Sequence, residues 1–208
     1  ELVRRQLPLM IVCDFEADPD YAYGGLGNLV RKARIDFDTR ITFLNEDQVR
    51  GNDPTIVPPF RVPRCVGTLE ALRRGHRSVE LVPAATTTPR HRNDGAPDGF
   101  SLVHAALARV TYPPAKDGKA KEDGWLLYVK ASLDGDEPAD VLQYHTDHPL
   151  FPQESTADQF FDEAQWESYR CLGEHMAAAV FAEPSLREWM PARAKEGALP
   201  PTALTWGP

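Results

Sequence analysis

Hydrophobic and polar positions change period along this chain, and each period predicts a different element. Residues 7–13, LPLMIVC, form a continuous apolar run that ends at Asp14. Such a run predicts a strand buried on both faces, as in a parallel sheet covered by helices, with Ile11, Val12 and Cys13 all inside. An acidic loop follows. Leu26, Leu29, Val30, Ala33 and Phe37 then recur at helical spacing and predict an amphipathic helix over residues 24–37. Residues 41–44 predict a short strand. Residues 45–100 contain seven prolines and little sustained periodicity, which predicts an irregular covering segment with one short helix over residues 68–74.

The second half of the chain is more regular. Two strands are predicted over residues 102–112 and 125–131, joined by the polar, turn-rich connection PPAKDGKAKEDG as a hairpin with a long exposed loop. Asp136 is positioned to cap a helix over residues 138–145. Thr156 followed by Gln159 has the spacing of a capping box and predicts a long helix over residues 157–182. Phe161, Ala164, Ser168, Cys171, Leu172, His175 and Ala179 would form its buried face, with Pro184 as its stop. ALPPTALTWGP reads as a loose tail. The expected organisation is the end of an α/β core (1–44), a Pro-rich covering segment (45–100), a β-hairpin (101–133) and an acidic helical segment (134–208). The strand at 7–13 has few candidate neighbours before residue 100, and ELVRR at the start reads as the end of a helix already in progress. Both features predict a fragment or processed product with further sheet upstream.

Composition narrows the function. A chain of 208 residues, 42% hydrophobic and 26% charged, has ordinary globular make-up and can bury a sizeable core. The net charge of −8 argues against non-specific nucleic-acid binding, which needs clustered Lys and Arg. The acidity is concentrated: from Asp134 onward there are 14 Asp and Glu against 4 Lys and Arg. The three cysteines, Cys13, Cys65 and Cys171, are far apart and include no C-x-x-C pair. Reduced thiols in a cytoplasmic setting fit this usage. No apolar run approaches the roughly 20 residues needed to cross a bilayer.

Several groups could carry chemistry, and each has a plainer reading. Gly25-x-Gly27 opens a predicted helix after a strand, but the third glycine of a dinucleotide fingerprint is Val30. Asp14, Glu16, Asp18 and Asp20 would also repel a pyrophosphate. His145 and His148, near Asp140 and Asp147, have i, i+3 spacing, yet Pro149 breaks the helix and no third ligand stands at a recognisable distance. Asp134-Gly135-Asp136-Glu137 lacks the alternation of an EF-hand and reads as a turn and cap. Ser168 and His175 lie two helical turns apart, too far for proton transfer, so His175 reads as a packed or hydrogen-bonded core histidine. Glu154, Asp158, Asp162, Glu163 and Glu167 surround Phe160, Phe161, Trp166 and Tyr169. These residues form either a docking surface for a basic partner or an amphipathic helix with buried aromatics and solvated carboxylates. No catalytic, cofactor-binding or metal-ligating residue is assigned.

Three segments carry a family resemblance: IVCDFEADPDYAYGGLGNLVRKARIDF (11–37), GWLLYVKASLDGDEPAD (124–140) and FPQESTADQFFDEAQWESYRCLGE (151–174). Together they resemble the C-terminal part of bacterial patatin-like phospholipases, and they are the strongest parts of a resemblance that covers about half the chain. The resemblance implies an α/β sandwich with a mainly parallel sheet, and acyl-ester hydrolysis through a Ser–Asp dyad without metal or organic cofactor. It also implies that the G-x-S-x-G serine and the D-G-G/A aspartate lie upstream. Asp94-Gly95-Ala96 has the letters of the aspartate motif but follows the strand at 9–13 instead of preceding it, and no G-x-S-x-G accompanies it. The expected partners are therefore the upstream catalytic region of the same protein and, through it, a lipid or ester substrate, with membrane association carried by upstream segments.

Overall fold

A computed structural model describes residues 1–73, 100–115, 117–155, 157 and 159–196, the last six as backbone alone. Five strands and six helices follow one another as β1 (Leu9–Asp14), α1 (Gly24–Phe37), β2 (Arg40–Phe43), α2 (Glu46–Arg50), β3 (Val66–Gly67), α3 (Leu69–Arg73), β4 (Ala105–Thr111), β5 (Gly124–Lys130), α4 (Ala139–Asp147), α5 (Glu163–Val180) and α6 (Pro184–Glu196). The strands make one mixed sheet in the order β1-β5-β4-β2, with β3 alongside the start of β4. β1 runs parallel to β5, with Leu9 opposite Trp125 and Asp14 opposite Lys130. β4 and β5 form the antiparallel hairpin that the turn-rich connection PPAKDGKAKEDG predicts. The chain is an α/β protein, as expected.

Side-chain alternation divides the core into layers. On β5, Trp125, Leu127 and Val129 join Leu107 of β4 in a cluster with Val141 and Tyr144 of α4, Leu172, Met176 and Val180 of α5, and Leu186 of α6. Leu126 and Tyr128 point the other way, towards clusters that contain Ala33 and Leu26 of α1 and Leu72 of α3. The sheet is therefore covered by helices on both faces. All seven residues of β5 are buried.

β1 departs from its predicted environment. It is a strand, but Met10 alone is fully buried, Ile11 and Val12 are half-buried, and Cys13 is exposed. The reason is position. β1 is the last strand of the sheet among the described residues, with β5 as its one neighbour, so the strand enclosed on both faces is β5.

α5 departs from its predicted start. Asp162 caps it by accepting a hydrogen bond from the Gln165 backbone N–H at 2.8 Å, so the helix begins at Glu163 and not after Thr156. Thr156 and Asp158 lie outside the described residues. Phe161, expected inside, precedes the helix and is 47% exposed, and Ala164 is exposed as well. The buried stripe is Gln165, Ser168, Leu172, Met176 and Val180, at spacings of three and four. Pro184 does not stop α5, which ends at Val180. It starts α6, where a proline's missing N–H costs nothing. The segment 45–73 contains α2, β3 and α3 among its prolines. α2 is closed by a reciprocal capping box between Asn45 and Gln48.

Candidate functional site

At the carboxyl ends of the parallel strands β1 and β5, four side chains from three parts of the chain meet. His104 precedes β4, Asp134 and Asp136 lie in the turn after β5, and His175 comes from α5. One donor atom of each lies within 4.8 Å of those of the other three. His175 Nε2 is 2.8 Å from Asp136 Oδ1, and His104 Nε2 is 3.2 Å from Asp134 Oδ2. The two imidazole rings stand perpendicular with centroids 5.7 Å apart.

The sequence builds this cluster through its turns. β4 and β5 are antiparallel, so the residue before β4 and the turn after β5 fall at the same end of the hairpin. The backbone N–H of Lys130 donates to the His104 carbonyl and fixes that register. Glu137 is buried and folds back on the turn, accepting hydrogen bonds from the N–H groups of Asp134 and Gly135 at 2.7 and 2.9 Å. Gly135 takes a φ of 97°, in the left-handed region where a side chain would be strained. With the turn held by Glu137, the carboxylates of Asp134 and Asp136 are free to face the histidines. The expected capping role of Asp136 is not realised: α4 has Pro138 at its N-cap and no side-chain cap.

His104 is 0% exposed. Its Nδ1 lies 3.2 Å from Ser132 Oγ, and that hydroxyl is directed at the Val103 carbonyl, 3.5 Å away. A hydroxyl that donates to Val103 accepts from Nδ1–H, which leaves Nε2 as the bare nitrogen of a neutral ring. Among the described residues Nε2 has no hydrogen-bond partner, because the nearby Asp134 oxygen is at ion-pair distance but outside hydrogen-bond alignment. Cys65 accepts the His104 N–H through its backbone carbonyl at 2.9 Å. Burial, and then the Asp134 and Asp136 charges, push its thiol up to about 11.

Ser132, His104 and Asp134 together have the composition of a hydrolase triad but not its operation. Ser132 is fully buried, so no substrate reaches its hydroxyl, and the hydroxyl is directed at a carbonyl.

The other candidates resolve individually. Asp14 receives hydrogen bonds from the Tyr128 hydroxyl, the Glu16 N–H at 2.9 Å and Lys130 Nζ at 3.3 Å. Asp18 accepts from the N–H groups of Ala22 and Tyr23. The acidic loop before α1 thus ties the sheet to the helix, and a Cβ on Gly25 would come within 2.7 Å of Glu16 Oε2. His145 Nδ1 donates to the Phe151 carbonyl and His148 Nδ1 to the Tyr144 carbonyl, so the two rings serve local backbone and do not converge. Ser168 donates to the Ala164 carbonyl at 2.7 Å, while His175 faces Asp136. Asp94, Gly95 and Ala96 lie outside the described residues. Phe160 and Trp166 are 95% and 64% exposed, whereas Tyr169 packs edge-on against Phe151 at 4.8 Å.

Sequence reading singled out Asp134, Asp136 and His175 separately and passed over His104. Positions 104, 134, 136 and 175 have no motif spacing. The available signal was the hairpin, which returns residue 130 to the level of residue 104. Among the described residues no helix is long and apolar enough to cross a membrane, and all three cysteines are free. No protein-family model, curated protein or solved structure matches the chain.

Proposed function

We propose that this chain is the architectural, C-terminal part of a patatin-like lipid acyl hydrolase. Ester hydrolysis is carried out by a Ser–Asp dyad in a segment upstream, and the present residues complete the sheet and cover it. The observation that carries this reading is the outer edge of β1. Its sequence, LMIVCD, is that of an interior strand, it pairs in parallel with β5, and no strand covers its other side among the described residues. An apolar parallel edge of this kind offers a row of backbone donors and acceptors to a further strand. The upstream catalytic region supplies that strand in this reading.

The test compares the chain alone with the same chain joined to the sequence that precedes it in its gene. Alone, it hydrolyses neither p-nitrophenyl esters nor phospholipid vesicles. Joined, it is labelled by a fluorophosphonate, and the label disappears when an upstream serine is changed. Labelling of the chain alone, abolished by changing one of its own serines, overturns the proposal.

The exposure of Phe160 and Trp166 beside Glu163 and Glu167 favours a second reading, an interaction module that docks through its acidic aromatic segment. In that case Trp166→Ala abolishes capture of the upstream region, while substitutions along β1 do not.

A further inference from the structure

Going beyond the hydrolase reading, we propose that His104, Asp134, Asp136 and His175 form a structural binding site for one divalent first-row transition-metal ion, with zinc as the best fit. Four features of the cluster support this. The donor set is two imidazoles and two carboxylates. Imidazole favours zinc and its neighbours over magnesium and calcium, which take oxygen donors. The buried, unpartnered Nε2 of His104 aims a lone pair into the cluster. Its other nitrogen is fixed by Ser132, the arrangement that sets the tautomer of a metal-bound histidine. Finally, the turn that carries both carboxylates is held in advance by Glu137.

The spacing suits a small ion. Around a tetrahedral centre with bonds of about 2.0–2.2 Å, ligand atoms stand about 3.4 Å apart. Two pairs already lie at 2.8 and 3.2 Å, and the four donors fall within 4.8 Å. Closing the widest pair needs side-chain rotation on the order of 1 Å, which Asp136 and His175 at the rim have room to make. On binding, the proton between His175 Nε2 and Asp136 is exchanged through solvent to Nδ1 of the same ring, and the ion takes its place at Nε2. Four protein ligands leave no open position, so the ion is structural: it ties α5 and the turn after β5 to the start of β4.

The experiment uses the full chain, stripped with a chelator and titrated with zinc against a chromophoric competitor. A stoichiometry of one is expected, together with a saturable rise in melting temperature and the intense visible bands of four-coordinate cobalt when Co²⁺ is substituted. Asp136→Asn and His175→Gln lie at the rim and leave the core packing in place. Each weakens zinc binding by more than the roughly 10–100-fold typical of losing an outer-shell partner, and Ser132→Ala falls within that range. Far-UV circular dichroism of the metal-free variants verifies that they fold. No zinc binding by the wild type overturns the proposal and leaves the cluster an ion-pair network. Unchanged affinity in both rim variants places the ion elsewhere and overturns it equally. Retention of the hydrolase reading does not depend on either result, since its test reads serine labelling.

Discussion

β1 and β5 lie side by side, run in the same direction and have similarly apolar sequences, LMIVCD and GWLLYVK, yet every residue of β5 is buried and Cys13 of β1 is exposed. Apolar content alone does not determine burial. β5 has a strand on each side and helices above and below, so both of its side-chain rows find partners. Among the described residues β1 has one neighbour, and its two rows meet the fringe of the helical layers. An uninterrupted apolar run therefore predicts a strand well and its place in the sheet poorly.

The largest expected effect comes from the ion pair that joins these strands. Lys130 is fully buried, and its Nζ reaches Asp14 Oδ1 at 3.3 Å and the Glu16 carbonyl at 2.6 Å. Asp14→Asn leaves that ammonium without its counter-charge and should cost about 3–5 kcal/mol in urea denaturation. Adding Lys130→Met should restore most of the loss, because the double change leaves no buried charge without a counter-charge. Next comes Leu127→Ala on β5, about 3 kcal/mol from lost transfer energy and a cavity. The matching change on β1, Ile11→Ala, should cost about 1–2 kcal/mol, since its side chain is half in water already. Equal losses at Leu127 and Ile11 would mean that β1 is as enclosed as β5. Cys13→Ser should change stability by less than about 0.5 kcal/mol.

Thiol alkylation sharpens the same contrast without a mutation. Cys13 is exposed and should be modified first at pH 8. Cys65, whose thiol is pushed up to about 11, should lag. A raised value means that the unreactive thiol persists at neutral pH. The rate at Cys65 should accordingly climb about tenfold per pH unit until the pH passes that value. Equal rates at pH 8 would contradict the partial burial of Cys65.

Local patterns in the sequence were informative wherever one element determines its own conformation. The α1 helix follows from Leu26, Leu29, Val30 and Ala33, and it begins at Gly24 and ends at Phe37 as expected. The hairpin follows from the polar, turn-rich connection between β4 and β5. Misjudgements arose where two local solutions competed. Asp162 with Gln165 offers the same kind of cap as Thr156 with Gln159, and the later cap is used, which leaves Phe161 outside the helix. Pro184 fits both a helix stop and a helix start. The His–Asp cluster was illegible for a different reason. Its members are brought together by the turn after β5 and by the docking of α5, both tertiary events, and a lone histidine before a strand carries no spacing signal.

The pairing of β1 with β5 also has a consequence on the ribosome. Asp14 and Lys130 stand 116 residues apart in sequence. At about 5–20 residues per second, the apolar LMIVC segment waits on the order of 10 s after synthesis before its partner strand emerges. During that interval its backbone groups and side chains are open to any other extended chain. The adjacent acidic loop, with Asp14, Glu16, Asp18 and Asp20 immediately after the run, places like charges where two such nascent segments would otherwise align. Neutralising Glu16 and Asp20, which leaves the Asp14–Lys130 pair and the Asp18 turn contacts in place, should therefore lower soluble yield during synthesis.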